Sequence, residues 1–219
     1  MSAKERILQH ARDLFLKYGV KSITLDEIAK DLGISKKTIY QYFDNKASIV
    51  YEVTQAYFEA ERAEIEHIEG IAENAIDELV KICIWTAKTL ENMSPRLMYE
   101  VNKYYPKSFE IHEAYIGDFV LQKLNDNLSR GIAEGLYREN IDPDLVARIR
   151  VSQFMATLQE KLFPPNVFDI WEVQIELFFL FMYGIVTDRG RELLETFLPL
   201  IPRKKIRHSK PISSRTQND

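Results

Sequence analysis

The sequence predicts an all-α protein with two unequal parts. These are an N-terminal three-helix, helix-turn-helix domain and a larger helical domain, about nine to ten helices in all. Three observations predict it. Apolar residues recur at helical spacing through most of the 219 residues. No strand-like alternation is sustained, and Gly or Pro interrupts the pattern where helices would end. The length suits one or two domains, each with a core of its own.

The first helix covers about residues 3–18, with Ile7, Ala11, Leu14 and Phe15 on one face. It stops where Gly19 can turn left-handed and Val20 can fold back on Phe15. Thr24 caps a second helix over about 25–32, and Glu27 three residues later completes a capping box. Ser35 caps a third over about 36–43. Ile23 with Ile28, and Ile34 with Ile39, have the spacing of hydrophobic staples, and Gly33 marks a sharp turn between the two helices.

A long helix runs from Asn45 to about Glu69 and ends at Gly70, its polar face carrying Glu52, Glu59, Glu61, Glu64, Glu66 and Glu69. Another fits 72–91. Residues 94–130 read as helical with breaks at Pro95 and Pro106, and a loop occupies about 131–143. Two apolar helices, about 144–162 and 167–187, flank Pro164-Pro165, and Gly190 breaks the chain before a last short helix ending near Pro199. The expected division is a head over 1–46, a body over 47–202, and 203–219 as a basic tail without fixed structure.

The net charge of −4 conceals an asymmetry. Residues 1–47 hold nine Lys/Arg against six Asp/Glu, while 48–202 hold fourteen against twenty-six. A basic head on an acidic body suggests that only the head meets a polyanion. Cys83, the single cysteine, excludes an intrachain disulfide and sits in the core-like run Ile82-Cys83-Ile84-Trp85, which fits a reducing cytoplasm. The most apolar run, Leu177 to Val186, falls short of the roughly 20 residues that span a bilayer, so no membrane partner is expected. His10, His67, His112 and His208 lack metal-ligand spacing, and neither a phosphate-binding glycine loop nor a nucleophile motif occurs. Adjacent helical residues diverge, so His112 and Glu113 do not form an acid/base pair. The sequence therefore offers no catalytic, metal or cofactor site.

Charge placement sharpens the reading of the head. Acids suit the first turn of a helix, and Asp26 and Glu27 obey in the second helix. The third opens instead on Lys36-Lys37 and the fourth on Lys46. Phosphate at those helix starts would turn a small dipole cost into binding. At helical spacing Ile39 and Phe43 face the core, so Lys37 and Gln41 lie opposite, flanked by Thr38 and Tyr40. Lysine can donate to guanine and glutamine can pair with adenine, making Lys37 and Gln41 the candidate base readers. Thr24, Ser35, Tyr42 and Lys46 are candidates for phosphate, with Lys36 beside them.

Gly19-Val20, Ile23-Thr24, Ile28-Ala29, Gly33-Ile34-Ser35, Thr38-Ile39-Tyr40, Tyr42-Phe43 and Lys46 together resemble the N-terminal domain of TetR/AcrR-type transcriptional regulators over about residues 5–50. The resemblance implies about six further helices, a homodimer built on the last two long ones, and a small-molecule pocket in the body. It also implies a repressor that leaves a double-stranded DNA operator when its effector binds.

Residues of the body bear on those expectations separately. Apolar side chains surround most of 173–186, so one face can serve the core and another a partner chain. Phe154, Leu158, Leu177, Phe178, Phe181, Met182 and Ile185 are the candidate dimer contacts. Trp85, Met93, Met98, Tyr99, Tyr105, Phe109, Tyr115 and Phe119 concentrate aromatic and sulfur groups and are the candidate pocket lining, although core packing also claims several. Two rival readings share these residues: an architectural or cell-division factor of the same fold without an inducer, and a helical enzyme with a degenerate helix-turn-helix.

Overall fold

Helix α1 (Ala3–Tyr18) starts on a reciprocal cap. The Glu5 N–H donates to the Ser2 hydroxyl at 3.2 Å, and the Ser2 N–H donates to the Glu5 carboxylate at 2.7 Å. Thr24 and Glu27 do the same for α2 (Leu25–Asp31), at 3.2 and 2.7 Å. Ser35 caps α3 (Lys36–Tyr40) by accepting the Thr38 N–H at 3.1 Å. Asn45 caps α4 (Lys46–Ile71) by accepting the Ser48 N–H at 3.0 Å. Each of these side chains meets an amide that a helix start leaves without an intrahelical partner. The computed structural model describes residues 1–91, 93–94, 96–157, 159, 161–164 and 167–201.

Helix α3 is shorter than the spacing suggests. The Tyr42 and Phe43 N–H groups both reach the Ile39 carbonyl at 3.0 Å, closing a tight turn. That turn sends Phe43, only 3% exposed, back into the head. There Ile7, Ala11, Phe15, Val20, Ile28 and Ile39 pack against Ile49 and Val50 of α4. Removing one of these isoleucines to Ala would cost roughly 2–5 kcal/mol.

The body comprises α5 (Ala75–Glu91), α6 (Leu97–Tyr104), α7 (Pro106–Ala114), α8 (Leu121–Ala133), α9 (Pro143–Thr157), α10 (Ile170–Ile185) and α11 (Asp188–Phe197). A π-helical turn, Tyr115–Val120, joins α7 to α8. Two cores fill it. Ile76, Val80, Leu128, Tyr137, Ile175, Met182 and Leu194 form the larger one. Phe58, Ile65, Tyr115 and Phe119 form a smaller one between α4 and the π turn. Leu97 and Val101 of α6 pack into the head core instead.

Several element ends differ from expectation. Helix α9 stops at Thr157, and α10 begins only at Ile170, after Asp169 accepts the Trp171 N–H at 2.9 Å. Gly70 lies inside α4 rather than ending it. Gly190 likewise does not break the chain; it lies inside α11, where its N–H donates to the Thr187 hydroxyl at 3.1 Å. Glycine is needed there because a Cβ would stand 2.1 Å from the Leu136 carbonyl oxygen. That contact holds the 134–137 loop against α11, and Tyr137 also forms an isolated antiparallel bridge with Val186. Leu158 of the expected dimer face, the breaks at Pro95 and Pro165, and the basic tail 203–219 lie outside the described residues. No helix among the described residues is long and apolar enough to cross a membrane.

Candidate functional site

Two features of the molecule could recognise another molecule: the exposed face of α3 and a cavity in the body. On α3, Ile39 is fully buried, so the opposite face must meet solvent. Lys37 and Gln41 are exposed on it. Tyr40 and Tyr42 are 50% and 43% exposed, a large aromatic area for two neighbouring side chains to leave uncovered. No ion pair among the described residues restrains Lys37.

The remaining head candidates are already engaged. The Thr24 hydroxyl donates to Glu27 at 2.9 Å while accepting the Glu27 N–H, and the Ser35 and Thr38 hydroxyls share a bond of 2.9 Å. Lys36 pairs with Asp26 at 2.8 Å, a hydrogen bond that raises its pKa. Lys46, expected to hold phosphate, turns inward and donates to the Val20 and Ile23 carbonyls. Burial lowers its pKa, and its ammonium lies 5.9 Å from the Phe15 ring centre. Its present role is to tie α4 to the turn before α2. Sequence spacing places a lysine at a helix start but does not say which way the side chain swings.

A cavity of about 220 Å³ opens among α4, α5, the π turn, α9 and α10. Its wall is mostly apolar, with Phe58, Ile65, Trp85, Val151, Phe154, Trp171, Phe178 and Phe181. Polar groups gather at two places. Toward α4, the Tyr57 hydroxyl donates to Glu61 at 2.5 Å, and Tyr115 bonds the same carboxylate. Burial raises the pKa of all three. His112, with Nδ1 unpartnered, is held down to about 4 by burial and is neutral near pH 7. Toward α9, Arg150 stands beside Cys83, whose thiol burial pushes up to about 12. Cys83 is therefore half-buried in the cavity wall rather than sealed in the core. About two turns further along α9, the Thr157 hydroxyl accepts a hydrogen bond from Gln174 at 2.5 Å.

Of the expected pocket residues, Trp85, Met93, Met98 and Tyr115 line the cavity. Tyr99 does not: it is 55% exposed, and its hydroxyl accepts from Lys103 at 3.0 Å. Tyr105 and Phe109 pack on the head core, and Phe119 is buried with the Arg62 guanidinium 4.5 Å from its ring centre. Residues that the sequence reading passed over include Tyr57, Glu61, Arg150, Trp171 and Gln174. Glu61 belonged to an acidic stripe that looked uniformly solvated, and periodicity alone could not single it out.

The expected dimer contacts need a larger correction. Phe178, Phe181, Met182 and Ile185 are all buried within the chain, at 6% exposure or less, so none is available to a partner. Phe154, Phe178 and Phe181 line the cavity. Leu177 is half-buried. The exposed apolar groups on these helices are Leu145 and Ile149 of α9 and Leu180 and Tyr183 of α10, from 38% to 67% exposed.

Comparison with known proteins bears on both features. Residues 7–53, which include α2, α3 and the start of α4, match the family of bacterial regulatory proteins, tetR family. The HTH-type transcriptional repressor KstR2 of Mycolicibacterium smegmatis is 24% identical over 154 residues, covering 67% of this chain and 73% of the relative. A TetR-family transcriptional regulator from Agrobacterium tumefaciens has the same fold, with a TM-score of 0.67 at 20% identity, covering 84% of this chain and 97% of that one. SmeT, the repressor of a multidrug efflux pump in Stenotrophomonas maltophilia, in its complex with triclosan, aligns at TM-score 0.65 and 20% identity, over 84% and 92%. These relatives are transcriptional regulators, not enzymes. Residues 7–53 are thus a tetR-family head, on a chain that shares the fold of TetR-type transcriptional regulators.

Proposed function

We propose that this chain is a repressor that binds a pseudo-palindromic operator as a homodimer and leaves it when a small, largely apolar ligand enters the cavity. The observation that carries this reading is α4. Its first turns place Ile49, Val50 and Val53 in the head core, and its middle places Tyr57, Phe58 and Glu61 in the cavity wall. One rigid element therefore touches both sites, which is the physical requirement for coupling between them. We take residues 1–46 as the DNA-binding part and 47–202 as the ligand-binding and dimerisation part, α4 serving both. SmeT, which shares the fold, has been solved in complex with triclosan. The rival reading without an inducer is disfavoured because the cavity is not filled by side chains.

Within the head, Lys37 and Gln41 are assigned to base edges, with Tyr40, Tyr42 and Thr38 beside them and the α3 and α4 helix starts near phosphate. Two α3 helices in a two-fold dimer would enter major grooves one or more helical turns apart. The test is fluorescence anisotropy on DNA flanking the protein's own gene, at several salt concentrations, with Gln41→Ala alongside. Saturable binding to a palindromic site that weakens steeply with salt is expected, and Gln41→Ala should flatten the preference among site variants. Equal affinity for the site and for scrambled duplex would refute the reading.

A further inference from the structure

The charged groups around the cavity do not balance. Glu78 pairs with Arg130 at 2.6 Å, and Lys123 pairs with Glu69 at 2.6 Å. Glu61 is bonded by the Tyr57 and Tyr115 hydroxyls and can shed its charge by taking a proton. His112 is neutral. Arg150 has none of these outlets. Among the described residues no carboxylate pairs with it, and its Nη1 is shut from water without a hydrogen-bond partner. Arginine keeps its charge even when buried, so the group cannot escape by deprotonating. Its guanidinium lies 5.6 Å from the Phe181 ring centre, a contact that relieves part of the cost and leaves Nη1 unfilled. A partly buried cation without an anion is costly to hold, and this one lines a mostly apolar cavity.

We propose that the effector is a compact apolar molecule carrying a carboxylate, which Arg150 pairs while the aromatic wall holds the rest. Two parallel N–H donors match the two oxygens of a carboxylate. The Cys83 thiol lies beside that end, while Phe58, Trp85 and Tyr115 cluster in another part of the wall. The cavity of about 220 Å³ is below the usual range of drug-sized sites, which favours a short chain or single ring as the body. The inference rests on the cavity being the effector site, as proposed above, and adds the chemical class that it takes.

The chain supplies its own reporter, because its two tryptophans, Trp85 and Trp171, both line this cavity. Titrating the full-length protein with octanoate, octanol and octylammonium, and following tryptophan emission, compares heads on one body. Octanoate should bind about tenfold or more tightly than octanol, as expected for a charge-assisted hydrogen bond. Arg150→Gln should reduce octanoate to the level of octanol and leave octanol unchanged, whereas Arg150→Lys should keep part of the preference. Equal binding of octanoate and octanol by the unmodified protein, tighter binding of octylammonium, or no saturable change with any of the three would overturn the proposal. So would an Arg150→Gln protein that retains the octanoate preference. The unmodified protein alone decides the first comparison even where a variant fails to fold. Operator binding measured in parallel separates the two readings. Octanoate that fills the cavity while DNA stays bound refutes ligand release and supports the carboxylate site. Release by octanol, with no carboxylate preference, does the reverse.

Discussion

The Glu100 carboxylate of α6 accepts the backbone N–H of Lys21 at 2.8 Å, tying the body to the turn between α1 and α2. A second tie lies alongside, where the Ser94 N–H meets the Leu16 carbonyl at 2.6 Å. Gly19 makes the approach possible: with φ at +80°, it carries no Cβ, and a Cβ there would stand 2.8 Å from a Glu100 oxygen. Glu100→Ala should lower stability to urea by about 1 kcal/mol, with Glu100→Gln keeping most of it. The same change should weaken release of DNA by ligand, since it removes one of the contacts through which the body holds the head. An Ala variant that unfolds at the original urea midpoint would show the bond to be dispensable.

Lys46 and Lys37 should separate cleanly. Lys46→Met leaves the Val20 and Ile23 carbonyls without their donor, and should destabilise the DNA-free protein by roughly 1–3 kcal/mol. Lys37→Ala removes an exposed side chain, so stability should move by less than about 0.5 kcal/mol while discrimination between operator variants falls. Thermal melting together with anisotropy on both variants checks the pair. Loss of stability in Lys37→Ala, or its absence in Lys46→Met, would reverse the assignment.

His112 gives the protein an acid-side liability. Flanked by Phe58 and Phe109, with ring centres 5.6 and 5.3 Å away, it is held down to about 4 from an ordinary 6.5. The unfolded chain therefore binds more protons between those values, and its contribution to stability is complete above about 6.5 and lost as pH falls toward 4. The loss is on the order of 3 kcal/mol. His112→Phe should flatten the urea midpoint across this window. Glu61, whose pKa is raised, works in the opposite sense: its favourable contribution is present below the ordinary carboxylate range and fades as pH rises through its folded value.

Dimerisation should depend on the exposed groups rather than the buried ones. Leu180 is 67% exposed and Ile149 48%, so Leu180→Glu with Ile149→Glu should yield a helical monomer by sedimentation velocity. Met182→Ala, in a side chain of 0% exposure, should instead cost roughly 2–5 kcal/mol of stability without directly altering association. A dimer that survives both glutamates would place the interface elsewhere.

Local rules made the head legible. Thr24 and Ser35 each stand before a helix and cap it, because capping depends on residues within one turn. The body depends on contacts between distant segments, which periodicity does not rank. On α10 the apolar residues surround most of the helix, and the cavity and core take Phe178, Phe181, Met182 and Ile185 while Leu180 and Tyr183 stay outside. A count of apolar positions could show that two faces needed cover, but not which face this chain covers itself. Arg150 was hidden for a similar reason, since a lone arginine in a helix ordinarily reads as a solvated charge.

The continuous α4 also acts as a lever. Its 26 residues extend about 39 Å, with some 22 Å between Lys46 and Glu61. A tilt of roughly 8° about Glu61 would swing the Lys46 end by about 3 Å, close to the 3.4 Å separating neighbouring bases along a strand. A displacement of that size is small inside the body and large against DNA, where a paired reader must meet two grooves in register. If a ligand acts through this rod, as proposed, a modest repacking around it would become a mismatch of about one base step, and the cavity would not need to open widely to dislodge the protein.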